Sequence, residues 1–327
     1  MYDLANSARL CLVCNLEDRG NLERCPTDGF PLILLGKQVK SADHVPGFTL
    51  EKEVGKGATG KIYKAIESST QRVYAIKIMH DLLAKEQETA ARFNQEAALT
   101  RRLNSPHTVG ATNFSWLPDG RPYIVMEYVD GVSVSSLLAE EPLAAERAVP
   151  IFIQIATGLA HAHKQGIMHR DIKPSNIMLV DEGSAELVKI VDFGCAKTLS
   201  ASERSALHLT RTGEAVGSPI YMSPEQCQGI PLDHRTDIYS LGCVMYEMLT
   251  GRPIFSAKDV VQLMTKHIKE EPAPLNLSNA FMADDLTRIV RKAVAKNPAQ
   301  RYQDANEIMQ ELEQSMIIAK VMASLVF

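Results

Sequence analysis

The chain has 327 residues, 45% of them hydrophobic, which is enough to bury one large core or two ordinary ones and excludes a disordered protein. Its 35 Lys and Arg nearly balance 39 Asp and Glu, for a net charge of -4, and no block of like charge occurs, which argues against nucleic acid as the main partner. Any polyanion it binds must be gripped locally.

No basic segment followed by an apolar stretch and a small-residue cleavage site opens the chain, so the expectation is a cytoplasmic protein with reduced thiols. Residues 1–36 hold Cys11, Cys14 and Cys25 in "CLVCNLEDRGNLERCPTDG", a CxxC followed by CxxD that resembles a zinc ribbon with Asp28 as the fourth ligand. A segment this small has no core of its own, so bound Zn2+ would have to hold it together. The alternative is a metal-free, turn-rich arm. Arg9, Arg19 and Arg24 are its only cations, so zinc here does not imply nucleic acid. Residues 37–47, "KQVKSADHVPG", are polar, end in Pro46-Gly47 and read as a linker.

From Phe48 to about Tyr128 the runs "FTLEKEV", "GKIYKAIE", "RVYAIKIM" and "PYIVMEYV" are strand-like, with one helical stretch and the hairpin signal "LPDGR" between the last two. After Val134 the period changes. "RAVPIFIQIATGLAHAHKQG", "DIYSLGCVMYEMLTG", "DVVQLMTKHI", "DDLTRIVRKAVAK" and "DANEIMQELEQSM" space apolar residues by three and four, as helices do. "IMLV" and "LVKIV", joined by "DEGS", predict a hairpin at the junction. Residues 314–327 form an apolar tail, shorter than the ~20 residues a bilayer requires and interrupted by Lys320. The tail is expected to be a packed terminal helix or the start of a longer segment; no clear membrane span is expected, and membrane association through it stays open. Cys195, Cys227 and Cys243 are scattered and read as inert thiols.

"GKGATGKI", residues 55–62, lies between two strands rather than opening a helix, which disfavours a dinucleotide fingerprint. By itself it fits a flexible hairpin as well as a backbone cover for phosphates. Lys77 sits in an apolar strand whose neighbours Ile76 and Ile78 face the other way, so it must snorkel to solvent or meet an anion. Glu96 shares a stripe with Phe93, Leu99 and Leu103, which points its carboxylate at the core and makes Lys77 its natural partner. In "HRDIKPSN", residues 169–176, Asp171 can accept a hydroxyl proton, Lys173 can neutralise a transferring anion and Asn176 can hold a metal through its carbonyl. Those are the parts of phosphoryl transfer. Asp192 in "VDFG" supplies a second metal ligand, with Gly194 permitting a sharp turn. Singly, each Asp reads as a cap or turn former; together and in order they do not.

With these motifs in this order, residues 48–313 resemble a eukaryotic-type serine/threonine protein kinase, most similar to those encoded in bacteria. The resemblance implies an α+β, two-lobed fold, a small antiparallel sheet lobe with one helix and a larger helical lobe, here preceded by the small Cys-rich segment. It implies that Gly55, Gly57 and Gly60, with Lys56, Ala58 and Thr59 between them, cover the phosphates of ATP, and that Lys77 holds the α- and β-phosphates while paired with Glu96. Asp171 becomes the catalytic base, with Lys173 beside it, and Asn176 and Asp192 bind Mg2+. Val54, Ile62, Ala75 and Met178 would sandwich the adenine, Met126 would guard the pocket, and the backbone of Glu127 and Val129 would read the adenine edge.

Lys173, two places after Asp171, and Ser218 in "GSPIYMSPE" fit serine/threonine rather than tyrosine specificity, so protein substrates are the expected partners. Tyr74, Cys195 and Ser223 depart from the family pattern, Ser223 standing where "APE" has Ala. The resemblance also pairs Glu225 with Arg301 and makes Asp237 the buried aspartate that holds the catalytic loop. Arg170 beside Asp171, and a Ser/Thr-rich segment that includes "LTRTGEAVGS", point to activation by autophosphorylation at Thr210 and Thr212. Similar bacterial enzymes commonly dimerise through the smaller lobe, so the resemblance admits a homodimer. A non-catalytic nucleotide-binding scaffold is disfavoured because Lys77, Asp171, Asn176 and Asp192 are all retained. A small-molecule phosphotransferase is disfavoured by the "SPE" segment.

Overall fold

The computed structural model describes residues 44–57, 59–84, 87–183, 185–193, 219–275, 277 and 280–325, together with short stretches before residue 44. The expected zinc ligands Cys11, Cys14, Cys25 and Asp28, the hairpin residue Ala58, Ser218 and the expected phosphorylation sites Thr210 and Thr212 lie outside the described residues. Three two-residue strands, β1 (Arg9–Leu10), β2 (Glu17–Asp18) and β3 (Ile33–Leu34), pair antiparallel in the order β2-β1-β3. The chain divides into two compact units, one of Met1–Arg102 and Gly110–Tyr128, the other of Leu103–Val109 and Val129–Phe327.

In the first unit, β4 (Phe48–Lys56), β5 (Gly60–Glu67), β6 (Val73–Met79), β7 (Ala111–Trp116) and β8 (Pro122–Glu127) form one antiparallel sheet in the order β4-β5-β6-β8-β7. Alternation along the strands sorts side chains onto two faces. Ala65, Ile76, Ile78, Tyr123 and Val125 make one core with Leu117 and with Val45, which comes from the end of the expected linker. There the chain turns at Pro46-Gly47: Gly47 has φ +80° and the Phe48 N–H donates to the Val45 carbonyl at 3.1 Å. On the opposite face Met79, Ala111 and Ile124 pack against Phe93 and Ala97 of α2 (Gln87–Thr100), which follows the short α1 (Asp81–Ala84). The helix stripe runs through Phe93, Ala97 and Thr100; Leu103, expected on it, lies past the helix end and belongs to the second unit.

Strand β7 was not among the expected strands. One extra residue near Thr112 shifts its register against β8 between Ala111 and Asn113, and such a bulge breaks the alternation by which a strand is read. The "LPDGR" hairpin is present: Leu117 N–H donates to the Arg121 carbonyl at 2.8 Å, and Gly120 has φ +89°.

The second unit is mostly helical: α3 (Val134–Leu138), α4 (Ala145–Lys164), α5 (Pro224–Gln228), α6 (Arg235–Thr250), α7 (Val260–Lys269), α8 (Ala280–Ala293) and α9 (Ala305–Leu325). Its core is the facing apolar stripes of α4 (Ile151, Phe152, Ile155, Leu159) and α6 (Ile238, Leu241, Val244, Met245, Met248), all buried. Each large side chain there contributes about 1.5–3 kcal/mol of transfer free energy. The predicted hairpin appears as β10 (Ile177–Asp181) and β11 (Glu186–Ile190), with β9 (Val132–Ser133) completing a small sheet in the order β11-β10-β9. Ile177, Leu179, Val188 and Ile190 anchor this hairpin in the core, so the loops at its ends are held on a rigid base.

Helix α9 runs unbroken past residue 314, so the apolar tail continues the last domain helix. The expectation of a packed tail needs correction, because beyond the buried Ser315 the side chains of Ile317, Ile318 and Val321 are exposed. No helix among the described residues is long and apolar enough to cross a membrane.

At Gly242 in α6, a Cβ would stand 2.6 Å from the Val294 Cγ1 and 2.9 Å from the Ala293 Cβ. Gly242→Ala must therefore push apart two packed segments, and we expect it to lower unfolding stability by about 1–3 kcal/mol, read from a denaturant titration. An unchanged midpoint would mean that the contact yields at no cost.

Candidate active site

In the first unit the glycine hairpin joins β4 to β5. The Gly57 N–H donates to the Gly60 carbonyl at 2.9 Å, and the His80 N–H donates to the Thr59 carbonyl at 3.0 Å. The three glycines have different physical reasons. A Cβ at Gly60 would lie 2.2 Å from the Ile78 carbonyl oxygen, so β6 alone demands glycine there. At Gly57 the nearest atom to such a Cβ is 3.9 Å away, and at Gly55 it is 3.5 Å away, so packing demands glycine at neither. Bare backbone at the tip is what close approach of a phosphate requires. Lys56 and Val54 are exposed, and Thr59 is half-buried.

Register places Ile62 opposite Lys77, Lys77 opposite Ile124, and Ala75 opposite Met126, so Ile62, Ala75, Lys77 and Met126 share one face of the sheet. Lys77 is 5% exposed, with its ammonium 5.9 Å from the centroid of the Phe93 ring. Glu127 ends β8 and is exposed. Glu96 lies in α2, and its side chain is outside the described residues.

In the second unit the loop 169–176 is built around one buried carboxylate. Asp237, in the first turn of α6, is fully buried. Its Oδ2 accepts from the His169 N–H and from the His163 Nε2, both at 2.8 Å, and its Oδ1 accepts from the Arg170 N–H at 2.7 Å. Burial by itself would raise this carboxyl; the hydrogen bonds from His163 and from the His169 backbone help to outweigh it and hold it below the usual carboxylate range. The His169 ring is buried as well. Its Nδ1 accepts from the Asp171 N–H at 3.2 Å, which leaves Nε2 as the donor to the Val191 carbonyl at 3.0 Å. One neutral tautomer thus satisfies both nitrogens.

The loop brings Asp171, Lys173 and Asn176 together. The Lys173 ammonium donates to Asp171 Oδ2 at 2.8 Å, and the Asn176 amide donates to the Asp171 carbonyl at 2.8 Å and to its Oδ2 at 3.3 Å. With its nitrogen turned to Asp171, Asn176 presents its amide oxygen on the opposite side. Asp192 is held to the same loop through both neighbours: the Val191 N–H donates to the Asn176 carbonyl at 3.0 Å, and the Phe193 ring lies 4.6 Å from that of His169. Arg170 (φ +64°) and Asp192 (φ +57°) are both left-handed, a conformation that costs about 1–2 kcal/mol outside glycine and persists only where surroundings impose it. Val129 and Met178 are half-buried, Met178 in β10 opposite Ser133 and Lys189.

Below the loop, Glu225 and Arg301 form a buried bidentate pair at 2.7 and 2.8 Å. Thr236 Oγ1 donates to Glu225 Oε1 at 2.8 Å, and Arg301 also donates to the carbonyls of Ala295, Arg235 and Lys296, so little of either group is left unsatisfied. Burial would raise the Glu225 carboxyl, but the guanidinium holds it down. His163 has no motif to mark it: its partner Asp237 is 74 residues away, and only the packing of α4 on α6 joins them.

The protein kinase domain family model matches residues 48–313. The chain is 37% identical over 270 residues to the serine/threonine-protein kinase pkn3 of Myxococcus xanthus, an alignment that covers 81% of this chain and 49% of that protein. It is likewise 37% identical over 269 residues to the serine/threonine-protein kinase PknB of Mycobacterium tuberculosis, covering 81% of this chain and 42% of that one. The chain thus spans about half the length, or less, of these curated relatives. The crystal structure of the PknI kinase domain of Mycobacterium tuberculosis matches with a TM-score of 0.63 at 23% identity, covering 85% of this chain and all of that one, a likeness of fold.

The Glu225 pair has a pH signature. A lowered carboxyl contributes its stability in full above the ordinary Glu range, near pH 4.3, and loses it as the pH falls through the lowered folded value. Glu225→Gln leaves Arg301 buried without its anion; we expect a loss of about 3–5 kcal/mol at pH 7 and a flatter decline of stability below about pH 4, measured by denaturation across pH.

Proposed function

The chain belongs to the protein kinase family, and from that premise we propose that it transfers the γ-phosphoryl group of ATP to serine and threonine hydroxyls of proteins. The observation that carries the reading is the loop in which Asp171, Lys173 and Asn176 are hydrogen-bonded to one another and locked from below by Asp237. Catalysis of this transfer is mostly positioning and charge neutralisation, and such a loop supplies both.

In the proposed reaction the substrate hydroxyl loses its proton to the Asp171 carboxylate as its oxygen bonds to the γ-phosphorus. The bond from that phosphorus to the oxygen of the leaving ADP breaks. Lys173, already paired to Asp171, sets positive charge beside the transferring group. Asn176 and Asp192 offer hard oxygen donors of the kind Mg2+ takes, and that ion when bound neutralises phosphate charge. Lys77 is assigned to the α- and β-phosphates with Glu96 as its partner, and Gly55, Lys56, Gly57, Ala58, Thr59 and Gly60 to the phosphate cover. The adenine contacts assigned to Val54, Ile62, Ala75, Met126, Glu127, Val129 and Met178 belong to the same proposal. So do the division of the chain at 36, 47 and 313 and activation through Thr210 and Thr212.

Purified chain incubated with labelled ATP and a generic protein substrate should transfer label, and Asp171→Asn should slow transfer by about 100-fold or more. Mass spectrometry should find phosphate on Thr210 or Thr212 of the active enzyme and on neither in Asp171→Asn. Equal labelling by wild type and variant would refute the assignment of Asp171.

Residues 1–36 we read as a zinc-held module, supported by the spacing of Cys11, Cys14, Cys25 and Asp28. Elemental analysis should return about one zinc per chain, lost in Cys11→Ser. Metal-free chain from a zinc-supplemented preparation would favour the turn-rich arm.

A further inference from the structure

A side chain of α5 reaches back to the catalytic loop. Ser223 stands where the pattern has Ala, and it is the N-cap of α5. Its Oγ accepts from the Gln226 N–H at 3.3 Å, and its own N–H donates to Gln226 Oε1 at 2.9 Å, a capping box that satisfies two otherwise orphaned donors. The other end of the same amide leaves the helix altogether. Gln226 Nε2 donates to the Arg170 carbonyl at 2.9 Å.

That carbonyl belongs to the peptide group joining Arg170 to Asp171. The N–H end of this group donates to His169 Nδ1 at 3.2 Å, and its C=O end accepts from Gln226. The preceding N–H, that of Arg170, is taken by Asp237 Oδ1 at 2.7 Å. Arg170 is left-handed at φ +64°, so its backbone is not at rest locally and must be held from several sides. His169 and Asp237 fix two of the three polar groups around it. Gln226 fixes the third and stops the plane that carries Asp171 from rotating.

We propose that Gln226 is a positioning residue for phosphoryl transfer: through the Arg170 carbonyl it orients the peptide that presents Asp171, while the backbone N–H of residue 223, which any side chain there would leave in place, holds the glutamine oxygen in register. The role rests on the kinase reading above. It also ties the first turn of α5 to the residue beside the catalytic base.

Two substitutions separate the two ends of the amide. Gln226→Glu keeps an oxygen for the Ser223 N–H, since Glu serves a capping box as well as Gln does, but removes the donor to Arg170. Ser223→Ala removes the cap and leaves that donor in place. For Gln226→Glu we expect kcat with protein substrate to fall about tenfold, with the KM for ATP within about twofold and the melting temperature unchanged. Amide hydrogen exchange across residues 169–176 should quicken in the same variant. For Ser223→Ala we expect a lower melting temperature, with kcat and loop exchange close to wild type.

Unaltered exchange in Gln226→Glu would overturn the link, and faster exchange with wild-type kcat would overturn its part in positioning. If kcat in the two variants instead tracks melting temperature, helix stability alone is the cause and the proposal fails. Absence of transfer by the wild type counts against the kinase reading, whereas a failure confined to the response of Gln226→Glu counts against this role only.

Discussion

The catalytic loop depends on a single buried charge. Asp237 has no contact with water, and a carboxylate in that position is tolerated only when donors surround it. Two of the three donors are backbone N–H groups of His169 and Arg170, so satisfying the charge and fixing the loop are one event. The third is His163, which ties the loop to the helix beneath it. From this anchor the order passes outward by hydrogen bonds: His169 to Val191, Val191 to Asn176, Asn176 to Asp171.

The ion pairs of the second unit serve different ends, and burial separates them. Glu225 and Arg301 are almost wholly out of water with their other hydrogen-bonding positions filled, so the integrity of the pair is a matter of folding. Asp171 and Lys173 are partly open to solvent, where an ion pair contributes at most about 1 kcal/mol. Their arrangement has little weight for stability and is explained better by chemistry. Groups that must meet a substrate have to remain accessible, and the rigidity they need is supplied by neighbours such as Asp237 and Gln226.

Much of this could be read in the residues. Period-2 runs located four of the five strands of the larger sheet, and period-3.6 runs located the long helices, because one face of each element is buried and the other is not. Strand β7 escaped because the irregularity at Thr112 interrupts the alternation. The stripe drawn from Phe93 to Leu103 overran the end of α2 at Thr100, since an apolar residue just past a helix keeps the same spacing without being part of it. At Gly60 the residues suggested only a phosphate cover, and the fold adds a second reason for glycine, the Ile78 carbonyl that would meet any Cβ there.

What the sequence determined by itself was chemistry carried by close neighbours. Asp171, Lys173 and Asn176 lie within six residues, so their types and order could be recognised in the motif that holds them, and the pattern around them placed that motif between a sheet-rich and a helix-rich region. Resemblance had already named Asp237 as the carboxylate that holds the motif, and tertiary structure alone supplied its bond to His163 and the separate bond from Gln226. Gln226 and Asp237 reach the loop from 56 and 67 residues away, and His163 meets Asp237 across 74; such bonds form only once α4, α5 and α6 have packed.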